Sequence, residues 1–108
     1  MDIQIKRGLL DVCVLASIKD EESYGYQIIK DIKPFLEISE STLYPILRRL
    51  ESAELLEVHS AEHNGRLRKY YRITPAGLAR IEEFKAEWGE ILSIYKFITR
   101  EVERNDEK

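Results

Sequence analysis

A mainly α-helical fold with one small β-hairpin is what this 108-residue sequence predicts. Three observations carry that expectation. Apolar residues recur at helical spacing in three short stretches of the first half. The period then changes to two on either side of Asn64-Gly65, the dipeptide that most strongly favours a two-residue hairpin turn. Finally, Thr74-Pro75, a capping residue followed by a proline in its favoured first helical position, opens a long helical pattern.

Taken in order, residues from about Ile5 to Ile18 place Leu9, Val12, Cys13 and Ala16 at helical spacing and make the first helix. Ser23 is the expected cap of a second, with Ile28, Ile29 and Ile32 as its buried face and Pro34 as its end. Ser39, Ser41 and Thr42 offer caps for a third helix carrying Leu43, Ile46, Leu47 and Leu50. The hairpin joins Leu55–Glu62 to Arg66–Ile73. Its turn sets Leu56 opposite Ile73, Val58 opposite Tyr71 and Glu62 opposite Leu67 on one face. Glu57–Arg72, His59–Tyr70 and His63–Arg66 then pair on the other. The first face is apolar near its base and packs on the helices, whereas the second is polar throughout. The last helix runs towards Arg104. Along it Phe84, Trp88, Ile91, Tyr95, Ile98 and Val102 alternate at intervals of four and three, the seam of a coiled coil. A stripe of that length exceeds what docking on a small core requires, and a partner helix is its natural cover.

With 44% hydrophobic and 34% charged residues, the chain suits one compact domain plus a projecting element, and its modest core makes an oligomer the expectation. Cys13 is the only cysteine, which excludes an intrachain disulfide and a cysteine-built metal site. Cys13 itself reads as core. Nothing resembles a signal peptide and no apolar run is long enough to cross a bilayer, so a soluble cytoplasmic protein without membrane contact is expected. His59 and His63 lack metal-ligand spacing and read as exposed polar residues. Neither a Ser-His-Asp arrangement nor a carboxylate pair can be argued, and Gly25 allows close helix packing rather than cradling phosphate. No enzyme and no cofactor are expected. The net charge of −3 argues against wholesale coating of nucleic acid, but a binding face need not share the average.

Three helices, a hairpin and a long helix, in that order, describe a winged helix-turn-helix (residues 1–74) followed by a C-terminal dimerisation helix and tail (residues 75–108). The stretches YGYQIIKDI, STLYPILRRLESAELL and NGRLRKYYRITPAG, with the helix after them, resemble the PadR family of bacterial transcriptional regulators. The resemblance covers nearly the whole chain. Its short single-helix tail is similar to the compact subgroup of that family. It implies a homodimer that represses transcription and, in some members, is relieved by a small aromatic ligand. In the compact subgroup it implies a pore between paired tryptophans, which would make Trp88 a ligand-binding residue.

The residues themselves point the same way. On the third helix the apolar arc centres on Leu43, Ile46 and Leu50, so Ser41, Pro45, Arg48 and Ser52 face outward with Tyr44 and Arg49 on the flanks. Pro45 would cost about 3 kcal/mol in a helix interior, but near the cap and facing water it costs much less. Ser41, Thr42, Tyr44, Pro45, Arg48 and Arg49 are therefore the candidate groove-reading residues, through hydroxyls, guanidinium groups and an apolar ring. Between His63 and Arg72 the chain has no acidic residue. Arg66, Arg68 and Lys69 there are candidate contacts to the DNA backbone or minor groove. The fold alone also admits a protein-binding module without specific DNA binding; Arg48, Arg66 and Arg68 favour DNA, and the net acidity favours the alternative.

Overall fold

The computed structural model describes residues 1–101. Its elements are α1 (Ile3–Ser17), α2 (Gly25–Ile32), α3 (Glu40–Ser52), β1 (Leu56–His63), β2 (Arg66–Ile73) and α4 (Pro75–Ile98). This is a winged helix-turn-helix with a long C-terminal helix, and α4 stretches the molecule to 73 × 26 × 22 Å.

Asp2 caps α1 by accepting hydrogen bonds from the backbone N–H groups of Gln4 and Ile5, at 3.1 and 3.2 Å. Helices α1, α2 and α3 and the hairpin base enclose one core, in which Val14, Leu15, Ile28, Leu43, Leu47 and Leu56 are all but sealed from solvent. The inner face of α1 is not the expected one. Leu10, Val14, Leu15 and Ile18 point inward together with the expected Val12, whereas Leu9 and Cys13 are half-buried and Ala16 is exposed. The helix is apolar on both sides, and its contacts with α2, α3 and α4 select the side opposite Leu9, Cys13 and Ala16. Cys13 instead lines a shallow apolar groove with Ala16, Ile32 and Phe35.

Ser23 does not cap α2. The cap residue is Tyr24, whose side chain makes no capping hydrogen bond. The backbone of Ser23 is recruited to the edge of β2, donating to and accepting from Tyr71 at 3.1 and 2.7 Å. Its hydroxyl is thereby buried without a hydrogen-bond partner.

The hairpin keeps the expected register at every pair from Leu56–Ile73 to His63–Arg66. Asn64 and Gly65 take φ of 53° and 79°, the left-handed pair that a two-residue turn of this hand requires. The second hairpin face is less exposed than its composition suggests. His59, Arg68 and Tyr70 are half-buried against the α1–α2 turn, and His59 Nε2 lies 2.7 Å from Glu22 Oε1. At the hairpin base the Thr74 hydroxyl donates to the Glu54 carbonyl at 2.8 Å and accepts from Gly77 N–H at 3.1 Å, which fixes where α4 begins. Gly77 is required there, since a Cβ would collide with the Leu55 carbonyl.

Helix α4 ends at Ile98, short of the expected Arg104. The Thr99 hydroxyl and N–H both donate to the Tyr95 carbonyl at 2.9 Å, and Arg100 Nη1 donates to the Phe97 carbonyl at 2.7 Å. These groups satisfy the last carbonyls and close the helix. Only Gly77 and Ile81 of α4 are buried, with Phe84 packed at the rim of the core. Among the described residues no helix is long and apolar enough to cross a membrane.

Candidate nucleic-acid interface

Helix α3 starts at Ser39, whose hydroxyl lies 3.0 Å from that of Ser41 and 3.3 Å from that of Thr42. Three exposed hydroxyls thus cluster at the helix start, beside backbone N–H groups that carry the positive end of the helix dipole. Pro45 lies on the exposed face and interrupts neither the helix nor the core. It removes the N–H that would have bonded the Ser41 carbonyl, and that carbonyl sits on an exposed residue.

Arg48 projects outward from α3 and forms no ion pair among the described residues. Arg49 is directed elsewhere. Its guanidinium is bound by Asp11 of α1 in a partly buried ion pair that ties α3 to the inner helix, so it serves the fold rather than the outward face. Tyr44 is turned sideways, and its hydroxyl end fills the space above Gly25 at the start of α2.

The wing completes the site. Tyr24, Tyr26 and Tyr44 join Arg68, Lys69 and Tyr71 around a groove of about 550 Å³ between α2, α3 and β2. Burial first, then proximity to Tyr44 and Glu51, pushes the Tyr71 phenol above its ordinary value, with Arg48 pulling partly back. Lys69 is exposed at the groove rim and Arg66 is exposed near the hairpin tip, neither paired with an acid among the described residues. Arg68 is held inward, its guanidinium carbon 3.9 Å from the Tyr24 ring centroid. Tyr24, Gly25 and Tyr26 escaped the sequence reading as site residues, although two tyrosines flanking a glycine at a helix start were a usable signal.

The structure thus brings Tyr44 together with Arg68 and Lys69 at one groove, leaves Ser41, Thr42, Pro45 and Arg48 exposed along α3, and sets Arg66 near the hairpin tip and Arg49 apart. A surface of hydroxyls, cations and one helix start can hold a phosphate backbone and present donors to base edges. Among the described residues no cluster of three or more potential metal ligands exists.

Along α4, Trp88 stacks on Phe84, with ring centroids 5.7 Å apart and planes inclined by 17°. Beyond them Ile91, Tyr95 and Ile98 are exposed, as are Leu92, Ile94 and Phe97, which lie off the four-three seam. Val102, the last expected seam position, lies outside the described residues.

Residues 14–83 match the model of the transcriptional regulator PadR-like family. The chain belongs to the PadR-like family. Membership makes it a transcriptional regulator rather than an enzyme. This PadR-like regulator is 39% identical over 95 residues to an uncharacterized protein from Lysinibacillus sphaericus, an alignment covering 83% of this chain and 87% of that one. It is 34% identical to a PadR-like transcriptional regulator from Bacillus cereus, with a TM-score of 0.79 over 92% of this chain and 99% of that structure. Bacillus subtilis PadR, crystallised in complex with operator DNA, shares the fold at a TM-score of 0.65 and 21% identity, over 70% of this chain and 46% of that one.

Proposed function

We propose that this PadR-like regulator is a cytoplasmic repressor that binds a dyad-symmetric operator as a homodimer and is released by a planar aromatic ligand. The observation that carries the reading is the groove in which Tyr44 of α3 meets Arg68 and Lys69 of the wing, beside an α3 face on which Ser41, Pro45 and Arg48 are exposed. Lys69 at that groove, Arg48 on the exposed face of α3 and Arg66 near the hairpin tip have no acidic partners among the described residues, in a chain whose net charge is −3. Such a focus of positive charge in an acidic chain fits a polyanion. In this reading α3 lies in the major groove and the wing lies on the flanking backbone. The Bacillus subtilis homologue, bound to its operator with the same fold, supports the assignment.

The homodimer rests on α4. The face that carries Gly77, Ile81 and Phe84 into the core continues as Trp88, Ile91, Leu92 and Tyr95, all at least 36% exposed in the single chain. A second copy of the same helix covers that stripe and doubles the reading surface. Trp88 then lies at the seam with one ring face on Phe84 and the other open to a planar ligand.

A mobility-shift titration at several salt concentrations tests the reading. Binding to a selected duplex should weaken steeply as salt rises, because each neutralised phosphate releases counterions. Absence of salt-sensitive binding would favour a winged-helix module that binds protein instead.

A further inference from the structure

From the Ser23–Tyr71 bridge outward to the tip, no backbone hydrogen bond joins the strands of the wing to the helices among the described residues. The distal wing is a two-stranded ribbon, which alone is marginally stable in water. It is also a lever. Tyr71 and Arg66 are five positions apart, about 17 Å of strand, so a small rotation at the base displaces the tip by several ångströms.

A side-chain stack spans the gap. The Arg68 guanidinium carbon lies 3.9 Å from the Tyr24 ring centroid and 5.9 Å from that of Tyr70, with Nη1 3.5 Å from the Tyr70 hydroxyl. Tyr70 meets Tyr24 edge-on, with centroids 5.9 Å apart and planes at 76°. On the adjoining strand His59 stacks against Tyr70 at 5.6 Å and 21°, and Glu22 holds the His59 ring nitrogen. Glu22 and Tyr24 belong to the turn between α1 and α2, whereas His59, Arg68 and Tyr70 belong to the wing. Both strands are therefore fastened to one short loop.

We propose that Arg68 is a positioning residue: wedged between Tyr24 and Tyr70, it sets the angle at which the wing presents Arg66 and Lys69 to DNA, and makes no phosphate contact of its own. The proposal rests on the DNA-binding reading above. Arg68 and Arg66 share a hairpin face, yet Arg66 is exposed, whereas Arg68 has given up part of its hydration to an aromatic ring. A planar guanidinium stacks and donates at the same time, which suits it to this place.

The test uses the full chain and a duplex selected in vitro with the wild-type protein. Arg68→Gln and Tyr24→Leu should each lower affinity about fivefold. Both should leave the slope of log affinity against log salt at the wild-type value, and the double variant should bind no more weakly than either single one. Tyr24→Phe, which keeps the ring, is the conservative control for the exchange measurement. In the free protein, amide exchange at the wing tip should quicken in Arg68→Gln and Tyr24→Leu but not in Tyr24→Phe. A salt slope reduced by about one unit in Arg68→Gln, with Tyr24→Leu unaffected, would make Arg68 a phosphate contact and overturn the proposal. Unchanged exchange in both variants would overturn it as well. The exchange measurement needs no DNA, so a wild-type protein that fails to bind any duplex refutes the functional reading separately.

Discussion

The hydroxyl end of Tyr44, on α3, fills the space that a side chain at Gly25, the first residue of α2, would need. Helices α2 and α3 are thereby set against each other through one ring and one missing methyl. The obstructing atoms are the far end of a rotatable side chain, so Gly25→Ala should displace the Tyr44 ring instead of breaking the fold. We expect a stability change within about 1 kcal/mol, because the added methyl also favours the helix, together with a clear loss of operator affinity. Urea unfolding and DNA titration of the same variant check the two halves. A large drop in stability would mean that Tyr44 cannot move.

Ile91→Glu combined with Tyr95→Glu should leave a folded chain of 12.7 kDa where the wild type scatters light as twice that mass. DNA affinity should fall with dissociation, since two half-sites are no longer read together. A wild-type monomer at micromolar concentration would remove the basis of this expectation.

Arg48 and Arg66 should fail differently. Arg48→Ala, on the outward face of α3, should weaken binding by roughly 1–3 kcal/mol on the selected duplex and blur sequence preference. Arg66→Ala, near the wing tip, should lower affinity for most duplexes alike and reduce the salt slope by about one unit. Equal losses on selected and random DNA for both variants would contradict this division.

Trp88 provides the optical probe, being the only tryptophan. Planar aromatic compounds should quench its fluorescence saturably, and Trp88→Ala should abolish their effect on DNA release while leaving an operator-binding dimer. Release requires that the ligand favour the DNA-incompetent arrangement of the two winged halves. Ligand affinity unchanged in Trp88→Ala would locate the site elsewhere.

Tyr71 makes stability fall at high pH. Its folded-state value is raised, by burial before all else, so the folded chain holds the phenolic proton more tightly than the unfolded one. The contribution is complete below the ordinary tyrosine value of about 10 and is lost as pH rises through the raised value. Burial raises the Cys13 thiol with the same sign, so the comparison belongs in a Cys13→Ala background. There, Tyr71→Phe should lose less stability between neutral and strongly alkaline pH than its Tyr71 parent, as measured by urea midpoints.

The hairpin register was readable because Asn64-Gly65 is a local device: both residues adopt positive φ, and a one-residue slip would turn Leu56 and Tyr71 to water. The inward side of α1 was not readable. Ile5, Leu9, Cys13 and Ala16 repeat as regularly as the residues that are buried, and only the positions of α2, α3 and α4 choose between the two faces. Ser23 obeys a local capping preference on paper but loses to a sheet partner 48 positions away, Tyr71. Arg49 looked like its neighbour Arg48 until Asp11, on another helix, claimed it. The end of α4 was obscured because its apolar stripe outlasts the helix, which Thr99 and Arg100 stop from within. Misreadings gather where a non-local partner decides between two locally equivalent choices.

From Lys85 to Ile98, α4 has no tertiary cover in the single chain. A helix of that length stands near the limit at which helix and coil coexist in water, since nucleation is costly and each added residue gains little. The core grips the first three turns, which spares the segment a nucleation step but leaves its far end free to fray. The helical content of these last turns should therefore rise when something covers the stripe and fall when it is stripped bare. With a second copy as that cover, the proposed dimer would make helix length a measure of occupancy and secondary structure a function of concentration.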